Sequence, residues 1–227
     1  MEAVILAGGF GTRLRPVIAD RPKPMAPVCG RPFLELLLHR LIEKGFDRFI
    51  LSVGYMAHVI YSHFGDSFAG KPIIYEIETT PLGTGGALRA ALRHSTDELV
   101  FVFNGDTYFD LDPTDVMSCW SRRRNPIIVA KHVDDVSRYG SLVVVGTCLR
   151  AFSEKGGVGP GLINGGCYLV PANLLSSTSL QAPYSFEADF LPAYLQTNSI
   201  DVVSTSGLFI DIGVPDDYLR AQQLFCG

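Results

Sequence analysis

The chain has 227 residues, 47% hydrophobic and 19% charged, which fits one globular unit with a large core and excludes disordered and fibrous classes. Its formal charge is −4, and apart from Arg122-Arg123-Arg124 the basic residues are scattered, which argues against a nucleic-acid-binding face. No apolar run reaches the ~18 residues of a membrane span and no export leader is evident, so the expected compartment is the cytoplasm.

In chain order, Ala3 to Ala7 reads as a buried strand, Phe33 to Lys44 as a helix, Phe49 to Val53 as a second strand and Ala57 to Phe64 as a second helix. This alternation predicts βαβ units on a parallel sheet. Within the first helix the apolar positions 33, 34, 37, 38 and 41 recur at helical spacing, and Gly45 follows as the C-terminal cap. A strand over Ile73 to Glu78 leads through a Gly-rich loop, Thr79 to Gly86, into a helix over Ala87 to Arg93. Leu99 to Phe103 is apolar throughout, as a central strand covered on both faces requires, and runs into Asn104-Gly105-Asp106.

After Trp120 the runs Ile127 to Lys131, Leu142 to Val145 and Gly166 to Val170 are separated by turn-rich stretches. They predict a smaller, more antiparallel sector covering one side of the first sheet. Helices are expected over Phe186 to Leu195 and Pro215 to Leu224, with a strand pair at Ile200 to Val203 and Leu208 to Ile212. No linker or internal repeat divides the chain, so residues 1–227 read as one domain. The five cysteines are odd in number and widely spaced, without a C-x-x-C pair, which predicts neither a zinc site nor a disulfide framework.

The opening stretch Leu6-Ala7-Gly8-Gly9-Phe10-Gly11-Thr12-Arg13-Leu14 ends a buried strand in three glycines, whose backbone N–H groups can be aimed at an anion. Arg13 and Lys23 add positive charge, so the segment is equipped to cradle a triphosphate. It is neither a Walker A loop, which needs Gly-Lys-Ser/Thr, nor a dinucleotide fingerprint, which needs Gly or Ala where Leu14 stands. Asp106 and Asp211 each end a strand-like run, and one or two carboxylates are what Mg²⁺ takes from a protein. Each also fits the plainer role of a turn former beside glycine.

Gly8-Gly-x-Gly-Thr-Arg-Leu-x-Pro followed by Pro22-Lys23-Pro24-Met25 resembles the signature of the sugar-1-phosphate nucleotidylyltransferases, and the similarity runs over essentially the whole chain. The resemblance implies a three-layer Rossmann-like α/β fold with a mostly parallel central sheet and an antiparallel sugar-binding sector. It implies that Arg13 and Lys23 bind phosphates during transfer, and that Asp106 and Asp211 hold Mg²⁺. It places Leu6, Ala7, Gly8, Gly9, Gly11, Thr12 and Gly85 at the nucleotide. It also implies Gly140, Glu154 and Asn164 at the sugar hydroxyls, and Lys155 at the sugar phosphate. Taken singly, Glu154-Lys155 equally suits a solvated pair and Asn164-Gly165 a turn.

The segments Tyr184 to Leu191 and Asp211 to Tyr218 look most like guanylyltransferases acting on a manno-configured heptose 1-phosphate for surface-polysaccharide synthesis. The substrates so implied are GTP and the sugar 1-phosphate. Mannose 1-phosphate, or a thymidylyl or uridylyl transfer to another hexose, is the alternative within the class, and a non-catalytic nucleotide-sugar-binding relative the alternative outside it. Self-association is implied by the resemblance alone. The five histidines show no metal spacing, Trp120 and the phenylalanines read as core, and Arg122 to Arg124 as a solvated helix end.

Overall fold

The computed structural model describes residues 1–9, 11, 14, 18, 20–153 and 157–226. In chain order its elements begin with β1 (Glu2–Leu6), β2 (Pro27–Val28), β3 (Arg31–Pro32), α1 (Phe33–Glu43), β4 (Arg48–Val53) and α2 (Ala57–Phe64). Then follow β5 (Ser67–Phe68), β6 (Lys71–Ile77), α3 (Gly83–Ala91), β7 (Leu99–Asn104), β8 (Thr107–Phe109) and α4 (Pro113–Arg123). The remainder is β9 (Ile127–Val133), β10 (Ser141–Val145), β11 (Cys148–Ser153), β12 (Gly161–Pro171), α5 (Leu191–Leu195), β13 (Asp201–Thr205), β14 (Phe209–Asp211) and α6 (Pro215–Cys226).

Ten of the strands form one sheet in the order β10-β11-β13-β9-β12-β7-β1-β4-β6-β5. β7, β1, β4 and β6 are parallel, β12 runs antiparallel to β7, and β9 and β13 are parallel to each other. The expected α/β architecture is present, with two corrections. The later strands do not cover a face of the first sheet; they continue it edge to edge, because β12 pairs with β7 from Cys167↔Phe103 to Pro171↔Leu99. Hydrophobic alternation cannot separate these arrangements, since a strand inside a large sheet and one in a second layer are both apolar on both faces. The strands after residue 200 are likewise not a pair: β13 lies between β9 and β11, while β14 pairs with β8.

β1 shows why three layers form. Ala3 and Ile5 point into a core built with α1, α2 and α4, whereas Val4 points to a second core with α3 and α5. Alternate side chains of one strand thus serve opposite layers. α1 ends as expected: Gly45, at φ 89°, donates to Ile42 O and Phe46 N donates to Leu41 O, the paired bonds of a Schellman cap. The cap drives Phe46 into the core, edge-on to Phe101 at 5.1 Å and Phe103 at 5.6 Å. His39 packs edge-on to Phe68, and Arg124 caps α4 in a left-handed conformation. Among the described residues no helix is long and apolar enough to cross a membrane.

A third core cluster contains Leu14, Ile18, Ala26, Val28 and Phe33 from the N-terminal arm and Ile210, Ile212, Tyr218 and Ala221 from the C-terminal arm. It corrects the cysteine reading. Cys29, in the β2–β3 turn, and Cys226, at the end of α6, are bonded across 197 residues with Cα atoms 5.4 Å apart. The partner is set by the docking of α6 on the hairpin, which spacing along the chain does not encode. Gln222 reinforces the contact, accepting from Cys29 N at 3.0 Å and donating to Pro27 O at 2.6 Å. Cys119, Cys148 and Cys167 are free.

Glu2 is a buried carboxylate at the start of β1, paired with Arg48 and accepting from Thr96 N, Thr96 Oγ1 and Asp97 N. Burial raises its pKa, but these bonds to the charged form together outweigh it and hold the carboxyl below its ordinary range. A lowered folded pKa contributes stability that is present above the unfolded value of about 4.5 and lost as pH falls through the folded value. Glu2→Gln is therefore expected to cost about 2 kcal/mol at pH 7. The gap from wild type should narrow below pH 4.5, as read by urea unfolding at a series of pH values.

Candidate functional site

The carboxyl ends of β1, β4 and β7 open into a cavity of about 640 Å³. In an open parallel sheet this is where ligands bind, because the loops leaving adjacent strands diverge there. Leu6, Ala7, Gly8, Gly9, Gly11 and Lys23, which the resemblance assigns to the nucleotide, line one side. Thr12, Arg13, Glu154 and Lys155 lie outside the described residues.

The Gly-rich stretch after β1 uses its glycines in three ways. A Cβ on Gly8 would stand 2.4 Å from Glu78 Oε1, so that space holds a protein carboxylate. Gly11 sits at φ 59°, where a side chain is strained, and a Cβ there would touch the Lys23 stem at 3.0 Å. At Gly9 nothing lies within 4 Å, which leaves it open to an incoming group.

Lys23 enters on a 3-10 turn, Lys23–Met25, whose first residue is buried. Its Nζ bonds to Asp106 Oδ2 and lies 3.8 Å from Asp211 Oδ1. Asp106 follows β7 and Asp211 ends β14; the backbone links them directly, with Ile212 N donating to Asp106 O at 3.0 Å. Gly213 N donates to Asp211 Oδ1 at 2.7 Å and fixes that carboxylate. Burial and the nearby Asp106 charge, opposed by Lys23, push the Asp211 carboxyl up to about 6. Two carboxylates thus share one ammonium and repel each other, an arrangement that a further cation relieves. Among the described residues no third His, Cys, Asp or Glu joins them. That suits a Mg²⁺ ion, which takes one or two carboxylates and completes its octahedron with phosphate oxygens and water.

At the other end of the cavity Glu78 accepts from Leu82 N at 3.1 Å. Burial raises its carboxyl above the usual range, and the Leu82 bond opposes this only in part. The adjoining Gly-rich stretch corrects another expectation. The helix begins at Gly83, so Gly83 to Gly86 form its first turn rather than a loop. Gly85 does not border the cavity: it donates to Tyr184 O at 2.9 Å, and a Cβ there would lie 2.2 Å from Tyr184 Cε2. Thr84 and Ala87 face the cavity instead. Glycine at 85 serves helix-to-loop packing, and sequence cannot tell that use from ligand approach.

The third wall is Asn104, Ser185 and Glu187. Ser185 caps a π-helical turn over Phe186–Phe190 by accepting from Ala188 N, and Phe186 N donates to Thr84 Oγ1 at 2.8 Å, joining this wall to α3. Glu187 accepts from the buried Tyr168 hydroxyl and from Asn104 Nδ2 at 3.4 Å. Asn164, expected at the sugar, does not border the cavity; it donates to Tyr168 OH at 2.7 Å and so stands behind Glu187. Gly140 is also outside the cavity wall, beside Ser153 O. Glu78 and Glu187 were missed as site residues because a carboxylate at a strand end or in a helical turn has no motif of its own. Glu187 lies in the Tyr184 to Leu191 segment that carries part of the family resemblance, which is its sequence signal.

A family model described as "Nucleotidyl transferase" matches residues 2–226. The chain is 41% identical over 225 residues to the D-glycero-alpha-D-manno-heptose 1-phosphate guanylyltransferase of Aneurinibacillus thermoaerophilus, covering 98% of this chain and 97% of that protein. It is 42% identical over 220 residues to the protein of the same name from Campylobacter jejuni, covering 96% and 97%. The crystal structure of HddC from Yersinia pseudotuberculosis complexed with GMP-PN superposes with a TM-score of 0.89 at 38% identity, over 99% of both chains.

The Gly85 contact makes a packing prediction. Gly85→Ala should cost about 1–3 kcal/mol, because the Tyr184 ring must give way. Thermal unfolding should show a Tm lower by several degrees, whereas Gly9→Ala, with open space around it, should leave Tm nearly unchanged.

Proposed function

Since the chain belongs to the nucleotidyl transferase family, we propose that it transfers guanylyl from GTP to D-glycero-alpha-D-manno-heptose 1-phosphate, releasing pyrophosphate. The observation that carries this is the Lys23, Asp106 and Asp211 set at one end of a cavity whose other end holds the Glu78 carboxylate. The identity to two guanylyltransferases of that name supports the choice of base and sugar.

The reaction is an in-line displacement: an oxygen of the sugar phosphate bonds to the α-phosphorus as the bond to the pyrophosphate oxygen breaks. Such transfer rests on positioning and charge neutralisation, with no covalent nucleophile required. Asp106 and Asp211 would hold Mg²⁺, which when bound neutralises phosphate oxygens. Lys23 holds its ammonium at the same point from a buried stem, so little reorganisation accompanies charge development. Arg13 is assigned to the leaving pyrophosphate and Lys155 to the sugar phosphate on family resemblance alone. Glu187, braced by Tyr168 and Asn104, offers its carboxylate to sugar hydroxyls.

Glu78 accounts for a guanine preference. The Watson–Crick edge of guanine presents two donors, N1–H and the N2 amino group, which a carboxylate accepts together. Uracil and thymine present a single N–H between two carbonyl oxygens, whose lone pairs would face the same carboxylate. The reading places the enzyme in activated-sugar supply for a surface polysaccharide and in the cytoplasm, where GTP is made. In that compartment the thiol pool would keep Cys29 and Cys226 reduced. The bonds of Gln222 and Tyr218 to Pro27, the Cys29 N–Gln222 bond and the third apolar cluster then hold α6 on the hairpin.

Pyrophosphate release with Mg²⁺, measured for GTP, dTTP, UTP, CTP and ATP against heptose, mannose, glucose and N-acetylglucosamine 1-phosphates, should peak at GTP with the heptose. A maximum at mannose 1-phosphate would correct the sugar, and silence throughout would overturn the catalytic reading. Asp106→Asn should lower kcat by at least about 10²-fold, the scale of losing one preorganised electrostatic group, with Tm little changed. Glu78→Gln should lower kcat/KM for GTP about 30-fold, near the ~2 kcal/mol of one bidentate base contact, and narrow the gap to UTP.

A further inference from the structure

β4 lies between β1 and β6 in the sheet and is buried from Phe49 to Val53. Phe49, Leu51 and Val53 belong to the core under α1 and α2, and Ile50 to the core on the α3 face, so alternation turns Ser52 to the α3 face as well. An interior parallel strand ordinarily carries an apolar side chain at such a position. Ser52 is instead 0% exposed, and its hydroxyl makes no hydrogen bond of ordinary geometry among the described residues. An unpaired buried hydroxyl costs about 1–3 kcal/mol, so its presence in this strand calls for a reason.

Ser52 borders the cavity together with Glu78. β4 and β6 run parallel there, with Val53 opposite Ile77, and Glu78 N donates to Val53 O at 2.8 Å. The Glu78 backbone is thus tied to β4, whereas its carboxylate is tied to a turn: Oε2 accepts from Leu82 N at 3.1 Å, and residues 79–81 between them are exposed. Burial raises the Glu78 carboxyl, and both Leu82 N and the Ser52 hydroxyl oppose it. The hydroxyl therefore stands close to the carboxylate without meeting it in good geometry in the ligand-free protein.

We propose that Ser52 is a positioning residue for base selection: once the base is bound, its hydroxyl donates to the Glu78 carboxylate and, with Leu82 N, holds that carboxylate against the base edge. The inference rests on the reading of Glu78 as the acceptor for guanine. An ionised carboxylate offers about four acceptor sites, so Leu82 N and Ser52 Oγ take two and leave two for the N1–H and N2 amino donors. A hydroxyl turns about a single torsion to reach its acceptor. A donor on a strand paired on both sides anchors more firmly than one on an exposed turn. Because Ser52 Oγ is enclosed, it acts through Glu78 and does not touch the base itself.

Calorimetric binding of GTP and UTP with Mg²⁺, alongside melting curves, on Ser52→Ala, Ser52→Cys, Glu78→Gln and the Ser52→Ala/Glu78→Gln double variant tests this. Ser52→Ala should weaken GTP about tenfold, the scale of one hydrogen bond to a charged group, with UTP within twofold of wild type. Its Tm should equal or exceed that of wild type, because an unpaired hydroxyl leaves a buried strand. Ser52→Cys, similar in size but a poor donor, should weaken GTP by a comparable factor. The double variant should bind GTP no more weakly than Glu78→Gln alone. Unchanged GTP affinity in Ser52→Ala, equal losses for GTP and UTP, or losses that multiply in the double variant would overturn the proposal. If wild type binds GTP no better than UTP, the guanine reading fails separately, and the same four proteins decide the pair with the nucleotide bound most tightly: coupled losses support it and independent ones overturn it. Binding of no nucleotide at all overturns both.

Discussion

One ammonium held between two carboxylates organises this molecule. Lys23, Asp106 and Asp211 come from three places far apart in the chain, and bringing them together requires most of the tertiary structure. The first needs the hairpin arm to fold back under the phosphate loop, the second needs β7 beside β1, and the third needs β14 to pair with β8. The third core cluster is the apolar base of that arrangement, with Leu14 and Ile18 of the phosphate loop packed among residues of both arms. The charges sit at the rim of this base, where a low dielectric strengthens their mutual effect and raises Asp211.

The cavity is built so that each end has its own chemistry. The Lys23 end concentrates charge suited to phosphates, while the Glu78 end offers an acceptor carboxylate in a half-buried wall. Between them, Gly9 leaves the loop open for close approach. The Glu187 wall is held from behind by hydrogen bonds: Asn164 orients the Tyr168 hydroxyl, which orients Glu187. A carboxylate so braced loses little freedom on binding a hydroxyl. The Arg138–Asp217 pair likewise anchors an exposed side chain to a buried one.

Much of this was legible without coordinates. The period of α1, its Schellman glycine, the apolar run of β7 and the Gly-rich exit from β1 each have a local physical cause, and each is found where the sequence puts it. Lys23 was nameable from its place after the Gly-rich stretch, while Asp106 and Asp211, whose residue type and position suit a turn former equally well, were nameable only through the family resemblance. Glu78 and Glu187 were not, because a lone carboxylate looks the same whether it faces solvent or a cavity.

The sequence by itself determined the class of fold, the Gly-rich exit from β1 and Lys23 as a charge close behind it, because these follow from periodicity, glycine geometry and charge over short stretches. Tertiary structure alone decided that β12 joins the first sheet, that Gly85 packs on Tyr184, that Cys29 meets Cys226 and that Arg138 pairs with Asp217. Each of those depends on two segments distant in the chain arriving at one point. A contact of that kind is specified by the packing of everything between them, and no window of neighbouring residues contains it.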